Sequence, residues 1–455
     1  VTLTKLTKGF ITMQLLKANP GLFKSIMLTA SLAGVFGFML PTQAQARLTI
    51  EINESYENAL PIAIVPFAFN GAAMPENIAQ IVRDDLRRSG KFKPLPVGSL
   101  PAQPSLAEEV DFEQWRPLDV DNMLIGKVVD MGNDRYQIDV RFMDVLRKQQ
   151  VFGKRWSNIP GKQLRQIGHL ISDLIYEELT GVRGAFNTQI AYVTLKNENG
   201  KRRYTLEVAD ADGYNPQPIL RSPKPIMSPS WSPDGKKLAY VSFEKGRSYI
   251  IVQSLDGKYR ETLASFSGIN GAPAWSPDGL KMAMTLSKDG SADIYVMDLQ
   301  TRALKRITRD WSIETEAAWA PDGRSIYFNS DRRGQPQVFQ VFLDSGEIKR
   351  ITYEGRYNAN PEVSPDGRYI AVVHGQGGFN IGLQDLQTSQ FNVLTHTFLD
   401  ESPTFSPNGE MILYAMNQND KGKLAIVSPD GKTSQILSVQ DGQVREPAWG
   451  PFLNR

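Results

Sequence analysis

The chain holds few groups able to carry out covalent chemistry. Its 455 residues include no cysteine and three histidines, His169, His374 and His396. Without cysteine there is no thiolate nucleophile, no thiolate metal site and no disulfide framework. No two of the histidines have the spacing of a metal-ligand pair. A hydrolase would need a Gly-x-Ser-x-Gly elbow followed by a histidine, and no such elbow occurs. No phosphate-binding loop or dinucleotide fingerprint occurs either. Asp210-Ala211-Asp212-Gly213 resembles the opening of a calcium loop but lacks the closing glutamate. It reads as a turn between strands. The expectation is therefore no catalysis, no cofactor and no metal. What remains is a set of polar residues at corresponding places in a repeat: Asn270, Glu314, Glu316, Asn358, Asn360, Asp400, Glu401, Arg445 and Glu446. Polar groups set at intervals on a rigid scaffold suit recognition of another molecule.

The scaffold is legible from one recurring stretch. Trp275-Ser276-Pro277-Asp278-Gly279 has copies beginning at Trp231, Trp319, Val363, Phe405 and, in degenerate form, Trp449. The steps are 44, 44, 44, 42 and 44 residues, a period that signals propeller blades. Pro presets φ, Asp or Asn bonds its own backbone, and Gly accepts positive φ, so each copy is a tight turn between strands. Three apolar residues follow each turn, as in Leu238-Ala239-Tyr240 and Ile326-Tyr327-Phe328. Three in succession predict a strand buried on both faces. Ile219, Leu263, Ile307, Ile351, Leu394 and Leu437 form a further column. Ile190-Ala191-Tyr192-Val193 is a second strand with no turn before it, and Pro447-Ala448-Trp449 is a first strand with nothing after it. Joined, they complete a sixth blade and remove the open edges. The tryptophans then read as packing residues between blades. Recognition belongs to the loops leading into the innermost strands, Ser267–Ala272, Asp310–Glu316, Gly355–Asn360, Thr397–Glu401 and Gly442–Glu446, which should ring one mouth of the channel with a polar, acid-leaning rim.

Ahead of the propeller, assigned to residues 185–455, three further regions are expected. Residues 1–46 read as a secretory signal: Lys24, an apolar run from Ser25 to Leu40, then Ala44-x-Ala46. The run is shorter than the roughly 20 residues of a spanning helix, and export would place the remainder in a periplasm. Residues 47–60 open with Leu48, Ile50 and Ile52 alternating with Thr49 and Glu51. This is either the first strand of the next domain or a strand that adds to a partner's sheet. Residues 61–182 read as a small mixed α/β unit. It has a strand at Ile62–Val65 and a helix from Pro75 to Ser89. A hairpin of Met123–Val129 and Tyr136–Met143 turns around Gly132-Asn133. A strand at Val151–Trp156 and a closing helix ending at Gly181 complete it. The fold class is thus multidomain, α/β followed by all-β.

The net charge is +2, and Lys5, Lys8, Lys17 and Lys24 precede residue 47, so the rest carries −2. That balance argues against a nucleic-acid partner.

With these parts in this order, the chain resembles the TolB family of periplasmic propellers of the Tol-Pal envelope system. The segments that carry the resemblance are Asn270-Gly271-Ala272-Pro273-Ala274-Trp275-Ser276-Pro277-Asp278-Gly279, Ile294-Tyr295-Val296-Met297-Asp298-Leu299, Gly334-x-Pro336-Gln337-Val338, Thr397-Phe398-Leu399-Asp400-Glu401 and Asp441-Gly442-Gln443-Val444. The resemblance implies a non-enzymatic adaptor. Its mouth would bind the Pal lipoprotein, which makes it peripheral to the outer membrane. Its mature N-terminal segment, coupled to Pal occupancy, would bind the C-terminal domain of TolA. It implies support for outer-membrane invagination at cell division and envelope integrity, and use of the same mouth by bacteriocins. Carried over by position, the Pal-facing residues are Asn270, Gly271, Ala272, Thr315, Glu316, Asn358, Asp400 and Glu401, with Arg445 and Glu446 of the same rim. The TolA-facing residues are Arg47, Leu48, Thr49, Ile50, Glu51 and Ile52. The position before Asn270, often His in relatives, is Ile269 here. Two other readings stay open: a propeller that binds a small ligand or cation in its channel, and a peptidase-related propeller without its hydrolase domain.

Overall fold

The computed structural model describes residues 59–71, 73–418, 421–437 and 442–453. The expected signal, the alternating segment 47–58 and Asp441 lie outside them.

Six four-stranded antiparallel sheets follow one another as blades. Five are continuous in sequence: blade 1 (residues 226–264), blade 2 (270–306), blade 3 (314–350), blade 4 (357–393) and blade 5 (400–436). Blade 6 takes its innermost strand, Gln443–Trp449, from the end of the chain and pairs it with Gln189–Glu198. Trp449 lies opposite Ile190, as the two incomplete repeats predict. Second strands are buried on both faces: Leu238, Ala239 and Tyr240 are fully covered, and so are Ile370, Ala371 and Val372. Adjacent blades share these residues. Tyr240 packs in one cluster with Ala191 and Leu206 of blade 6, and Ala239 in another with Met282 and Met284 of blade 2. Each large side chain so buried contributes about 1.5–3 kcal/mol.

The recurring turn closes as its residue types dictate. Ser232 Oγ donates to Asp234 Oδ1 at 2.6 Å, and the Lys236 and Lys237 N–H groups donate to Asp234 Oδ1 and Ser232 Oγ. Ser276 with Asp278, Ser364 with Asp366 and Ser406 with Asn408 repeat the arrangement. Gly279 takes φ +71°, which a Cβ would disfavour. The tryptophan before each turn does more than fill space. Trp231, Trp275 and Trp319 donate their indole N–H to carbonyls of Ala448, Ser230 and Ala274 in the preceding blade. Trp449 donates to Thr188 Oγ1.

The α/β unit carries a mixed sheet in the order Phe92–Pro94, Leu60–Ile64, Asn122–Gly132, Arg135–Asp144, Gln149–Pro160. The first three strands are parallel and the rest antiparallel. Helices α1 (Ile78–Arg88) and α2 (Leu164–Thr180) pack on one face around Ile64, Val82, Leu124 and Ile171. The other face is covered by short helical turns between residues 97 and 118, with Trp115 buried against Met123 and Ile125. That second cover has no sequence periodicity to announce it. Helix α1 starts three residues later than its proline suggested. Asn77 is the cap, accepting from the Gln80 N–H at 3.1 Å, so the side chain that satisfies the free N–H groups sets the start.

The α/β unit docks on the end of the propeller where the recurring turns lie. Lys91 pairs with Glu410, and Asn408 Nδ2 donates to the Arg183 carbonyl at 3.0 Å. Gly90 has φ +70°, and a Cβ there would run into Thr433. A polar cluster is buried in the same interface. Asp85 accepts from Ser172 Oγ at 2.8 Å and from Arg88, and lies 2.7 Å from His169 Nδ1. Arg165 reaches from α2 to Asp212 on the propeller.

Candidate functional site

The opposite end of the innermost strands forms the mouth. Strand order and register make one residue near the start of each of the six strands equivalent: Ile226, Asn270, Glu314, Asn358, Asp400 and Val444. Sequence reading put Asn270, Gly271, Ala272, Thr315, Glu316, Asn358, Asp400, Glu401, Arg445 and Glu446 in entry loops. They are instead strand residues. Each strand begins as a ladder, breaks by one residue, and resumes, as between Gly271 and Ala274 or Glu401 and Thr404. The residue two beyond each of these equivalent residues is left-handed: Ser228 (φ 48°), Ala272 (44°), Glu316 (56°), Asn360 (52°), Ser402 (54°) and Glu446 (54°). This is a β-bulge repeated in every blade. A bulge leaves an N–H outside the ladder, and the next residue is Pro in five blades, with no N–H to lose. The bulge was not legible because the left-handed position has no common residue type.

The bulge sorts the candidates by depth. Asn270, Asn358 and Asp400 are fully buried, and their side chains serve the entry loops. Asn270 bonds both N–H and C=O of Phe266, each at 2.8 Å. Asn358 donates to the Glu354 carbonyl at 2.7 Å and meets His374 Nδ1 at 2.9 Å. Asp400 accepts from the hydroxyls of Thr395 and Thr397. These three are posts that hold loops in place, their side chains being covered by the protein itself. Gly271, Ala272, Thr315, Glu316, Glu401, Arg445 and Glu446 are half-buried.

The carboxylates face inward. Glu316 Oε2 accepts the N–H of Asn360 in the next blade at 2.9 Å, and Glu446 Oε2 accepts that of Ser228 at 3.1 Å, across the seam that closes the ring. Solvent enters from the channel, yet protein atoms surround each group. Burial therefore pushes the carboxyls of Glu362 and Glu446 up to about 7, and that of Glu446 is raised further by the charge of Glu401. Burial raises Glu316 and Glu401 as well, with Arg445 opposing at Glu401. An acidic rim offered to solvent was the sequence expectation. The acids are covered instead: Glu314 and Asp400 are fully buried, and Glu316, Glu401 and Glu446 are half-buried on the innermost strands.

What the loops expose is different. Trp311 is 100% exposed, Phe398 77% and Tyr353 69%. They sit on three consecutive loops, entering blades 3, 5 and 4 respectively. Arg309, Arg333 and Arg356 are exposed around them. The loops expected to carry recognition include Trp311, Arg356 and Phe398, but no periodicity marks a loop side chain, so none of the six stands out as a contact residue. The signal that could have found them is a bulky aromatic in a short polar loop, as in Arg309-Asp310-Trp311-Ser312. His396 is exposed on the loop of Phe398, whereas His374 is buried.

Among the described residues, one group has three ligand-type atoms within reach of each other: Asp85, His169 and Asp212. Arg88 bonds Asp85 and Arg165 bonds Asp212, so guanidinium groups already balance these carboxylates. Asp210-Ala211-Asp212-Gly213 is the turn it was read as, following the strand that ends at Asp210, and its acids pair with Arg165. No helix among the described residues is long and apolar enough to cross a membrane.

Comparison with known proteins agrees with this architecture. A family model described as the TolB beta propeller domain matches residues 176–453, and one described as the TolB amino-terminal domain matches 48–151. The Tol-Pal system protein TolB of Hydrogenovibrio crunogenus is 66% identical over 422 residues, covering 92% of this chain and 98% of that protein. Its counterpart in Thioalkalivibrio sulfidiphilus is 61% identical over 91% of this chain and 96% of its own length. The crystal structure of TolB from Acinetobacter baumannii superposes with a TM-score of 0.81 at 41% identity, covering 89% of this chain and 99% of that one. The chain belongs to the TolB family of Tol-Pal system propeller proteins.

Proposed function

We propose that the chain is a non-enzymatic periplasmic adaptor, exported by residues 1–46, that binds Pal at the propeller mouth. The segment 47–60, through Arg47, Leu48, Thr49, Ile50, Glu51 and Ile52, binds the C-terminal domain of TolA by strand addition. Family membership supports the system. The observation that carries the mouth as the binding end is its construction: six identical bulges present six different sets of loop side chains. Gly271, Ala272, Thr315, Glu316, Glu401, Arg445 and Glu446 would contact Pal directly, and Asn270, Asn358 and Asp400 through the loops they hold. Through these two contacts the protein supports outer-membrane invagination at division, and bacteriocins would compete for the same mouth.

The test is calorimetric titration of residues 47–455 with the soluble Pal domain, with and without residues 47–57. Binding in both forms, with affinity changed by the deletion, supports a mouth site coupled to the N-terminal segment. Absence of binding in both would reject it. A second reading, a cation held in the channel, is favoured by one observation: Glu316, Glu362, Glu401 and Glu446 all have raised pKa values. A cation would release their protons, so a calcium-dependent rise in Tm larger at pH 6 than a salt control would support it.

A further inference from the structure

We infer that the partner at the mouth is gripped on one half of the rim, by an aromatic crescent of Trp311, Tyr353 and Phe398 set among Arg309, Arg333 and Arg356, and that it offers this crescent an acidic surface with apolar pockets. This rests on the reading of the mouth as the Pal site and names the part of it that supplies affinity.

Three observations carry it. The aromatics occupy equivalent places, each on the loop entering an innermost strand, in three adjacent blades. Trp311 precedes Glu314 by three residues, Phe398 precedes Asp400 by two, and Tyr353 precedes Asn358 by five. Among the described residues, the loops entering blades 1 and 2 show no such exposed ring, Phe266 being packed into the core. Isolated exposed apolar residues are ordinary, but three bulky rings on one edge mark an interaction surface.

The loops that carry the rings are also held in place. Asn358 anchors the carbonyl of Glu354, next to Tyr353, and Asp400 ties Thr397, next to Phe398. Asp310 Oδ1 accepts the Ser312 N–H at 3.0 Å and Asp331 Oδ1 the Ile313 N–H at 2.7 Å, just after Trp311. A loop fixed before contact loses less entropy on binding. Large aromatics and arginines dominate the energetics of interfaces.

The charge sets the sign of the partner. Asp310 accepts from the backbone of its own loop and Asp331 from the Ile313 N–H of that same entry loop, and Glu314 holds Arg332. Arg309 and Arg356 on the entry loops, and Arg333 on the loop joining the second and third strands of blade 3, face solvent against one exposed carboxylate, Glu354. Phe398 also borders an open surface depression of about 330 Å³ with Gln376, Asn380 and His396.

The experiment is titration of the soluble Pal domain against residues 47–455 carrying W311A, Y353A or F398A singly, the triple R309E/R333E/R356E, and L280A. Leu280 is 60% exposed but lies on a recurring turn at the other end of the propeller. Each aromatic variant is expected to bind at least tenfold more weakly with Tm unchanged, and L280A to bind as wild type. The charge-reversed triple is expected to bind more slowly and to lose its salt dependence. If wild type binds Pal and the three aromatic variants bind equally well, the crescent is overturned while the Pal reading stands. If wild type does not bind, the Pal reading fails and the crescent fails with it.

Discussion

The two ends of the propeller's innermost strands are built on opposite plans. At the turn end the side chains repeat: Trp in four of six copies, then Ser in four, then Pro in all six, with Asp or Asn bonding its own loop. At the mouth the backbone repeats, bulge for bulge, while the side chains change from blade to blade. A repeated side chain meets a repeated packing problem, so the turn end serves the fold and the docking of the α/β unit. A repeated backbone carrying unlike side chains presents a surface that is not six-fold, and one partner can then bind in one orientation. Stability and recognition are thereby separated by the length of a strand, about 20 Å.

Changes at the turn end should therefore cost stability and spare binding. The largest effects are expected at Trp319 and Asp85. Trp319→Ala removes a buried ring and its bond to Ala274, and should destabilise by about 3–5 kcal/mol. Asp85→Ala strands Arg88 and His169 in the buried interface and should cost about 3–5 kcal/mol. Urea unfolding of each would check this, and Pal affinity measured well below Tm should be unchanged. Loss of affinity without loss of stability would break the comparison at that end.

A smaller effect concerns the channel wall. Burial holds the Glu362 carboxyl at about 7, above its ordinary value of 4.5. Between those values the folded chain keeps a proton that the unfolded chain releases, so this group's contribution falls as pH rises from about 4.5 to 7, then levels. Glu362→Gln should leave Tm unchanged at pH 4.5 and raise it at pH 8. An equal shift at both would mean that ionisation is not the cause.

The smallest effect on stability is expected at the mouth. Trp311→Ala touches nothing buried and should change unfolding free energy by less than about 0.5 kcal/mol. A fall in Tm of several degrees would show that this ring belongs to the fold after all.

The turn end was also the legible end. The 44-residue step, the Ser-Pro-Asp-Gly turn and the two orphan strands predicted six blades and their closure, since each depends on residue types that recur. The mouth was legible only in position. Ala272, Glu316, Asn360, Ser402 and Glu446 share a left-handed backbone but no residue type, so neither the bulge nor the burial of the acids could be read. Asn270 and Asp400 were visible as polar residues at the right places, yet nothing in the chain tells a buried post from a solvent-facing contact. Trp311 stands outside every repeat, so the side chain most available to a partner was the least visible in the pattern.

The most direct test of this division is one paired measurement on Trp311→Ala and Trp319→Ala: Tm by calorimetry and affinity for the soluble Pal domain at 20 °C. Trp319→Ala is expected to lower Tm and keep affinity, and Trp311→Ala to keep Tm and lose affinity at least tenfold. Tm and affinity falling together in either variant would contradict the division.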